Sequence, residues 1–395
     1  GSIEEGRELL TIAIGRHLRS DVPLGVFLSS GLDSTAIAGF AQTAASGEIH
    51  AFTVSFPDDP SFDEIAVARK AADRVGTAHH EIPVDHGTAL AWAEDGLYAM
   101  DQPALDGLNT YVVSRAARTA GLTVAVSGLG GDEMFAGYSS FREVPRWRGL
   151  ARMTSPIPSP LRAVIASVAA AKRGPTAQSK ARDIARSSGS LTHLYLHYRR
   201  ALSNGSLRTL GLIPKEIGLD DSYLPPGAGV DGCEVADDPV ATIGRLESAF
   251  YLRNTLLRDS DVFGMANSLE IRVPFLDRAA VEWAGSLLGE AVLPEGKPLK
   301  HLLRLIASDF YSEEQQAQPK KGFVLPLANW IEGPLKEFVH DGTAALKSAG
   351  VVEPGAVDDI KKNLENRPHS SAWSRLWTLA ALGHWLGNAK SRAAT

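Results

Sequence analysis

Two runs of small residues, each reaching an aspartate, carry the groups in this chain best suited to chemistry. The first is Leu28-Ser29-Ser30-Gly31-Leu32-Asp33-Ser34. Where a strand turns into a helix through such residues, backbone N–H groups face an open helix N-terminus and form a ready anion site. Small side chains let phosphate oxygens come close, and serine hydroxyls add donors. Asp33 would repel a bare phosphate, so it makes sense with a divalent cation bridging the two. Ser and Asp are also favoured helix N-caps, and plain capping is the competing reading. The run lacks the Gly-Lys-Ser/Thr ending of a Walker loop, which disfavours an ordinary P-loop NTPase. The second run is Ser127-Gly128-Leu129-Gly130-Gly131-Asp132-Glu133, continuing to Gly137-Tyr138. In isolation it is a glycine turn; beside the first it is harder to dismiss.

Both runs need a strand before them and a helix after them, and the hydrophobic pattern supplies these. Apolar residues at helical spacing predict a helix from Glu4 to Arg19, and a compact apolar run predicts a strand over Val22–Leu28. A helix over Asp33–Ala45, a strand over Ile49–Phe56 and a helix over Asp63–Val75 follow. Strands over Ala78–Val84 and Thr123–Val126 complete the series. Strands separated by helices predict βαβ units and a doubly wound parallel sheet, an α/β core in residues 1–145. Two strand ends of such a sheet can meet at its carboxyl edge, with Asp33 and Asp132 holding Mg²⁺ against one pyrophosphate. Residues 146–395 read as a mostly helical region packed on the sheet.

The bulk properties exclude several classes. The 395 residues are 44% hydrophobic and 22% charged, an ordinary globular balance. Forty basic against forty-six acidic side chains give a net charge of −6, so nucleic acid is not an expected partner. The single cysteine, Cys233, excludes an intrachain disulfide framework and any multi-thiolate metal site, and it reads as an inert surface thiol. No apolar stretch approaches the ~18 residues that span a bilayer, and no signal-peptide pattern opens the sequence. A cytoplasmic protein with no membrane partner is therefore expected, and Gly1-Ser2 reads as a cloning remnant.

The two loops resemble those of the asparagine synthetase family, whose synthetase domain is an ATP pyrophosphatase. Ser29 to Ser34 is similar to that family's Ser-Gly-Gly-Leu-Asp-Ser loop, with Ser30 in place of the first Gly. Further matches follow in order: Ser268-Leu269-Glu270-Ile271-Arg272-Val273-Pro274-Phe275-Leu276-Asp277, Lys300-His301-Leu302-Leu303-Arg304, and Pro319-Lys320-Lys321-Gly322-Phe323 with Pro326 and Trp330. The resemblance implies attack of a carboxylate on the α-phosphate of ATP, release of pyrophosphate, and displacement of AMP by ammonia or an amine. It implies nucleoside contacts at Leu28, Val54, Ser127 and Gly128, and a pyrophosphate cradle at Ser29, Ser30, Gly31 and Ser34. It further implies magnesium ligands at Asp33 and Asp132, and a catalytic lysine at Lys300 that stabilises phosphate charge.

Two departures bear on the substrate. Asparagine-forming members carry Glu at the third position of the second loop, where this chain has Leu129, which neither hydrogen-bonds nor takes a proton. The family's N-terminal glutaminase domain, with its leading cysteine, has no counterpart here. Ammonia or an amine is then expected from a removed domain, a separate glutaminase or solution. The substrate is expected to be a small-molecule or peptide carboxylate, and a lactam- or macrocycle-forming synthetase is the alternative. A nucleobase-adenylating enzyme and a non-catalytic nucleotide-binding scaffold are the readings from other classes.

Three further features are set aside. His79-His80-Glu81 is not read as a metal site, because neighbours on a strand face opposite ways. Asp259 and Asp261 read as an acid pair near Arg258 or, equally well, as a salt-bridged helix surface. Residues 142–208 hold thirteen Arg or Lys but only Glu143 and Asp183 as acids. That stretch is read as a solvated helical face, with docking of an acidic peptide, a carrier-bound substrate or nucleic acid as the alternative.

Overall fold

The computed structural model describes residues 2–58, 65–105, 107–187, 189–219, 232–317, 325–366 and 372–393. The Pro319–Phe323 motif and the start of the helix expected from Asp63 lie outside them.

Five parallel strands make one sheet in the order β3-β2-β1-β4-β5: β1 Leu24–Phe27, β2 His50–Ser55, β3 Ala78–Pro83, β4 Val124–Val126 and β5 Glu270–Arg272. The inner strand β4 reads Val-Ala-Val and is buried throughout, as a strand covered on both faces must be. Helix α1 (Ile3–His17) packs on α2 (Leu32–Ala44), and α2 on α3 (Ile65–Val75). A second group is formed by α4 (His86–Ala99), α5 (Gly107–Thr119) and the helix Leu257–Ala266. The strand order runs outward from β1 to β3 and then restarts on the other side of β1. Right-handed crossovers on that order place the two helix groups on opposite faces. Helix α2 is apolar almost all round, with Ala36, Ile37, Ala38, Phe40 and Ala41 all at or below 2% exposure, the pattern of a helix enclosed by its neighbours.

The first six helices and strands expected from the sequence are present with ends shifted by at most a few residues, and so is β4. Residues 146–395, read as mostly helical, also contain β5, which pairs Val124, Ala125 and Val126 with Glu270, Ile271 and Arg272. Three residues are too few to show a period of two. Compactness divides the chain into two units. The first holds residues 1–100, 106–138 and 247–325, and the second 101–105, 139–246 and 326–395. The first unit thus takes in residues 247–325 from the half that the sequence pattern assigned to helices, and the sheet takes Glu270–Arg272 from among them.

The second unit is helical. It includes α7 (Ser140–Met153), α8 (Ser159–Ala169), α9 (Pro175–Arg186) and α10 (Leu191–Arg199), together with a long helix, Ala372–Ala393. A short helix of the first unit, α6 (Gly131–Met134), precedes them. Indole N–H groups of Trp377 and Trp385 donate to the carbonyls of Ala104 and Asp101 at 3.2 and 2.7 Å, which ties residues 101–105 into the helical unit. Cys233, expected at the surface, is buried at 8% exposure. Asp259 is likewise buried, 3.3 Å from Arg258, rather than on a helix surface.

His197 on α10 is 5% exposed, and burial together with Arg200, His193 and Lys180 pushes its imidazole down to about 4. The folded chain therefore keeps it neutral while the unfolded chain takes up a proton below about pH 6.5. Stability should fall as pH drops from 6.5 towards 4, by up to about 3 kcal/mol for this one group at ~1.36 kcal/mol per pKa unit. Urea unfolding at pH 7 and pH 4.5, in the native chain and in His197→Gln, checks this. The variant should lose most of that difference.

Candidate active site

The strand order reverses between β1 and β4, and both glycine/serine loops leave the carboxyl ends of those two adjacent strands. That is the switch point where open parallel sheets bind ligands. Leu28 follows β1, its N–H donating to Phe52 O at 2.9 Å and its carbonyl accepting from Thr53 Oγ1 at 2.8 Å. Val54 lies at the corresponding end of β2. Ser127 follows β4 and donates its N–H to Arg272 O at 2.8 Å.

The first loop closes on itself. Ser34 Oγ accepts from the N–H of Ser29 at 3.0 Å and lies 2.9 Å from Ser29 Oγ, while the Gly31 N–H donates to Ser29 Oγ at 3.1 Å. These two hydroxyls shape the turn. Gly31 is the N-cap of α2 and supplies no side-chain cap, so the N-terminal amides of a 13-residue helix stay open to an anion. Behind that first turn, Tyr311 donates its buried hydroxyl to Leu32 O at 3.1 Å, and Gln315 Nε2 donates to Thr35 Oγ1 at 3.0 Å.

The second loop presses against the first. A Cβ at Gly128 would stand 2.9 Å from Asp33 Cβ and 3.0 Å from Ser34 N, and one at Gly131 would stand 2.5 Å from Asp33 Oδ1. Glycine at these two positions is what lets the aspartates approach each other. Gly130 takes φ 93°, which turns the chain into α6 and places Asp132 in that helix's first turn.

Lys300, 267 residues from Asp33 in sequence, closes the arrangement. Its ammonium bonds Asp33 Oδ2 and stands 2.8 Å from Asp132 Oδ1. The lysine is 7% exposed. Burial alone would push its proton off, but Asp33 and Asp132 outweigh that and hold its affinity above the usual lysine range. Its backbone is left-handed, φ 59°, ψ 29°, and its N–H donates at 3.3 Å to the carbonyl of Ala136, itself left-handed at φ 53°. Non-glycine residues pay ~1–3 kcal/mol for such conformations, and they persist where surrounding structure over-determines them. Arg304 contributes to that, donating Nε to Leu299 O at 3.0 Å and Nη1 to Gln316 O at 2.8 Å.

Glu133 and Tyr138 were part of the sequence motif but carried no role there. Glu133 is 4% exposed and accepts from the Tyr138 hydroxyl at 2.7 Å. Burial pushes its carboxyl up to about 7, with Asp132 and Glu247 adding to the rise and the Tyr138 hydrogen bond opposing it. Tyr311 and Gln315 lie 279 and 280 residues from their partners, and no local pattern announces them.

The remaining histidine cluster is committed elsewhere: His79 Nε2 lies 2.8 Å from Thr53 Oγ1, and His80 Nε2 lies 2.9 Å from His50 Nδ1. Among the described residues no group of three or more His, Cys, Asp or Glu could hold a metal ion. Asp33 and Asp132 do suit a hard divalent cation that takes its other ligands from water and phosphate oxygens. Gly131 and Gly137 form the close wall of that acidic pair, where any Cβ would displace a carboxylate oxygen.

The family described as asparagine synthase matches residues 5–387. A protein assigned as a glutamine-hydrolysing asparagine synthetase in Mycobacterium tuberculosis is 30% identical over 388 residues, covering 97% of this chain and 57% of its own length. Asparagine synthetase [glutamine-hydrolyzing] 1 of Bacillus subtilis is 27% identical, covering 86% of this chain and 52% of its own. The amidase chyE of Penicillium rubens is 26% identical, covering 95% and 60%. The chain thus spans little more than half the length of the curated relatives it matches. With a family match over nearly its whole length, the chain belongs to the asparagine synthase family.

Proposed function

We propose that this chain is the synthetase part of an ATP-dependent amide-forming ligase with the ATP pyrophosphatase type of α/β fold. A substrate carboxylate oxygen attacks the α-phosphorus of ATP, the α–β phosphoanhydride bond breaks, and pyrophosphate leaves with the electron pair. Ammonia or an amine then attacks the acyl carbon, loses a proton, and expels AMP to leave an amide. The observation that carries this reading is the Lys300 ammonium held between Asp33 and Asp132 at the sheet's switch point.

In this reading Leu28, Val54, Ser127 and Gly128 line the nucleoside, and Ser29 to Ser34 with the open end of α2 receive the pyrophosphate. Asp33 and Asp132 hold Mg²⁺, which neutralises phosphate charge when bound. Lys300 supplies a fixed positive charge from a site that largely excludes water, where it is worth most. Exclusion of water also protects the acyl-adenylate from hydrolysis. Leu129 stands where asparagine-forming relatives carry Glu, so a larger acid than aspartate, including one closing a ring on its own amine, is the second reading.

The test is AMP and pyrophosphate release from Mg-ATP with aspartate and ammonium, beside a no-aspartate control and Asp132→Ala. Equal amounts of AMP and asparagine, lost in the variant, support asparagine formation. Protein that binds Mg-ATP yet shows no aspartate-dependent turnover excludes aspartate and directs the assay to larger acids. Absence of Mg-ATP binding would overturn the ligase reading itself.

A further inference from the structure

On α8 the usual amphipathic pattern is turned inside out. Its inner face, packed on α9, consists of small residues: Ala163 is 2% exposed and Ser167 6%. The bulky aliphatics face water, with Leu161, Val164, Ile165 and Val168 at 53%, 59%, 52% and 70% exposure. Their spacing of i, i+3, i+4 and i+7 makes one stripe along the helix. Leu150 and Met153, at the end of α7 one short connection upstream, are 60% and 82% exposed. A solvated basic face, the reading the sequence favoured for this stretch, gives no reason for such residues. Contiguous exposed apolar surface marks a place of contact.

The charge flanking the stripe in sequence has one sign. Residues 144–182 contain eight Arg or Lys and no acid, in a chain whose net charge is −6. Arg146, Arg152 and Lys172 are exposed and flank the stripe in sequence. A second copy of this chain meeting it face to face would set these cations against themselves. An anionic bilayer surface offers what the stripe and its flanks lack, an apolar layer beneath a sheet of negative charge. At 11 residues and ~16 Å, α8 is too short to cross a ~30 Å hydrocarbon core. The absence of a spanning segment, on which the sequence expectation of no membrane partner rested, does not bear on a helix lying in the surface.

We propose that α8, with the end of α7, docks this chain onto an anionic lipid surface, aliphatic stripe inward and flanking cations at the headgroup phosphates. The inference is independent of the catalytic reading, and its test needs no turnover. The chain is co-sedimented with phosphatidylcholine vesicles and with vesicles containing 30% phosphatidylglycerol, at low and high salt. Binding should be at least about tenfold stronger to the anionic vesicles, because the flanking cations are drawn to their negative surface, and should weaken with salt. The double variant Val164→Asp/Val168→Asp, made at exposed positions and matched to the native chain by circular dichroism, should lose it. Equal binding to both vesicle types, no binding to either, or full binding by the variant overturns the proposal. So does a micromolar dimer that the variant converts to monomer, because the stripe then belongs to a second copy.

Discussion

Lys300→Met should lower turnover at least about a hundredfold, the usual cost of removing one preorganised charge from developing phosphate charge. Methionine keeps the length of the side chain and much of its packing, so the change isolates the ammonium. Its loss leaves Asp33 and Asp132 facing each other in a largely buried space, and breaking one side of such a pairing costs ~3–5 kcal/mol. The variant should therefore unfold at lower temperature than the native chain in metal-free buffer. Millimolar Mg²⁺ should recover part of that loss without restoring turnover, because the cation replaces the charge between the carboxylates but not the donor at the phosphates. Thermal melts with and without Mg²⁺, beside AMP release, separate the two roles. Native-like turnover in a folded Lys300→Met chain would remove the lysine from the mechanism.

Gly137→Ala should be nearly as damaging, although it removes no chemical group. A Cβ at that position would fall on Asp132 Oδ1 and stand 2.5 Å from Lys300 Cε. The methyl group therefore has to displace the carboxylate, the lysine or both, and overpacking of this kind costs ~1–3 kcal/mol in stability. A misplacement of about 1 Å can cost ~100-fold in rate, so turnover should fall much further than stability does. Urea unfolding and AMP release measured on the same preparation check this. A proportionate loss of both would mean that the glycine matters only for folding.

How much of this was readable in the sequence depended on whether the signal was local. Asp33 and Asp132 stood out because each lies in a run of small residues that follows an apolar strand and precedes a helix. Physical reasoning alone put both at one sheet edge. Lys300 could not be found that way: a lysine in front of a short helix has an ordinary solvated role, and only the resemblance to a family singled it out. The left-handed backbone that aims it is invisible in residue types, since lysine is not a residue one expects there. The strand Glu270–Arg272 was missed because its pairing to β4, not its own pattern, makes it a strand. Tyr311 and Gln315 were missed because their partners on α2 lie 279 and 280 residues away. Ser29 and Ser34 were legible as loop residues, but their bonding to each other depends on a geometry that composition does not encode. The exposed stripe on α8 was hidden for a related reason. A short apolar run predicts a helix without saying which of its faces will meet water.

The left-handed pair, Ala136 and Lys300, has an evolutionary consequence. Glycine would relieve the backbone at position 300 and so favour the folded state locally, yet it would delete the ammonium between the two aspartates. The paired ammonium outweighs the strain, ~3–5 kcal/mol against ~1–3 kcal/mol, so stability and activity both keep lysine at this one position. A lineage that had lost the reaction would be free to drift to glycine there once Asp33 or Asp132 had been lost as well. The identity of residue 300 across related chains should thus sort working enzymes from silent descendants, where the fold itself, being common to both, cannot.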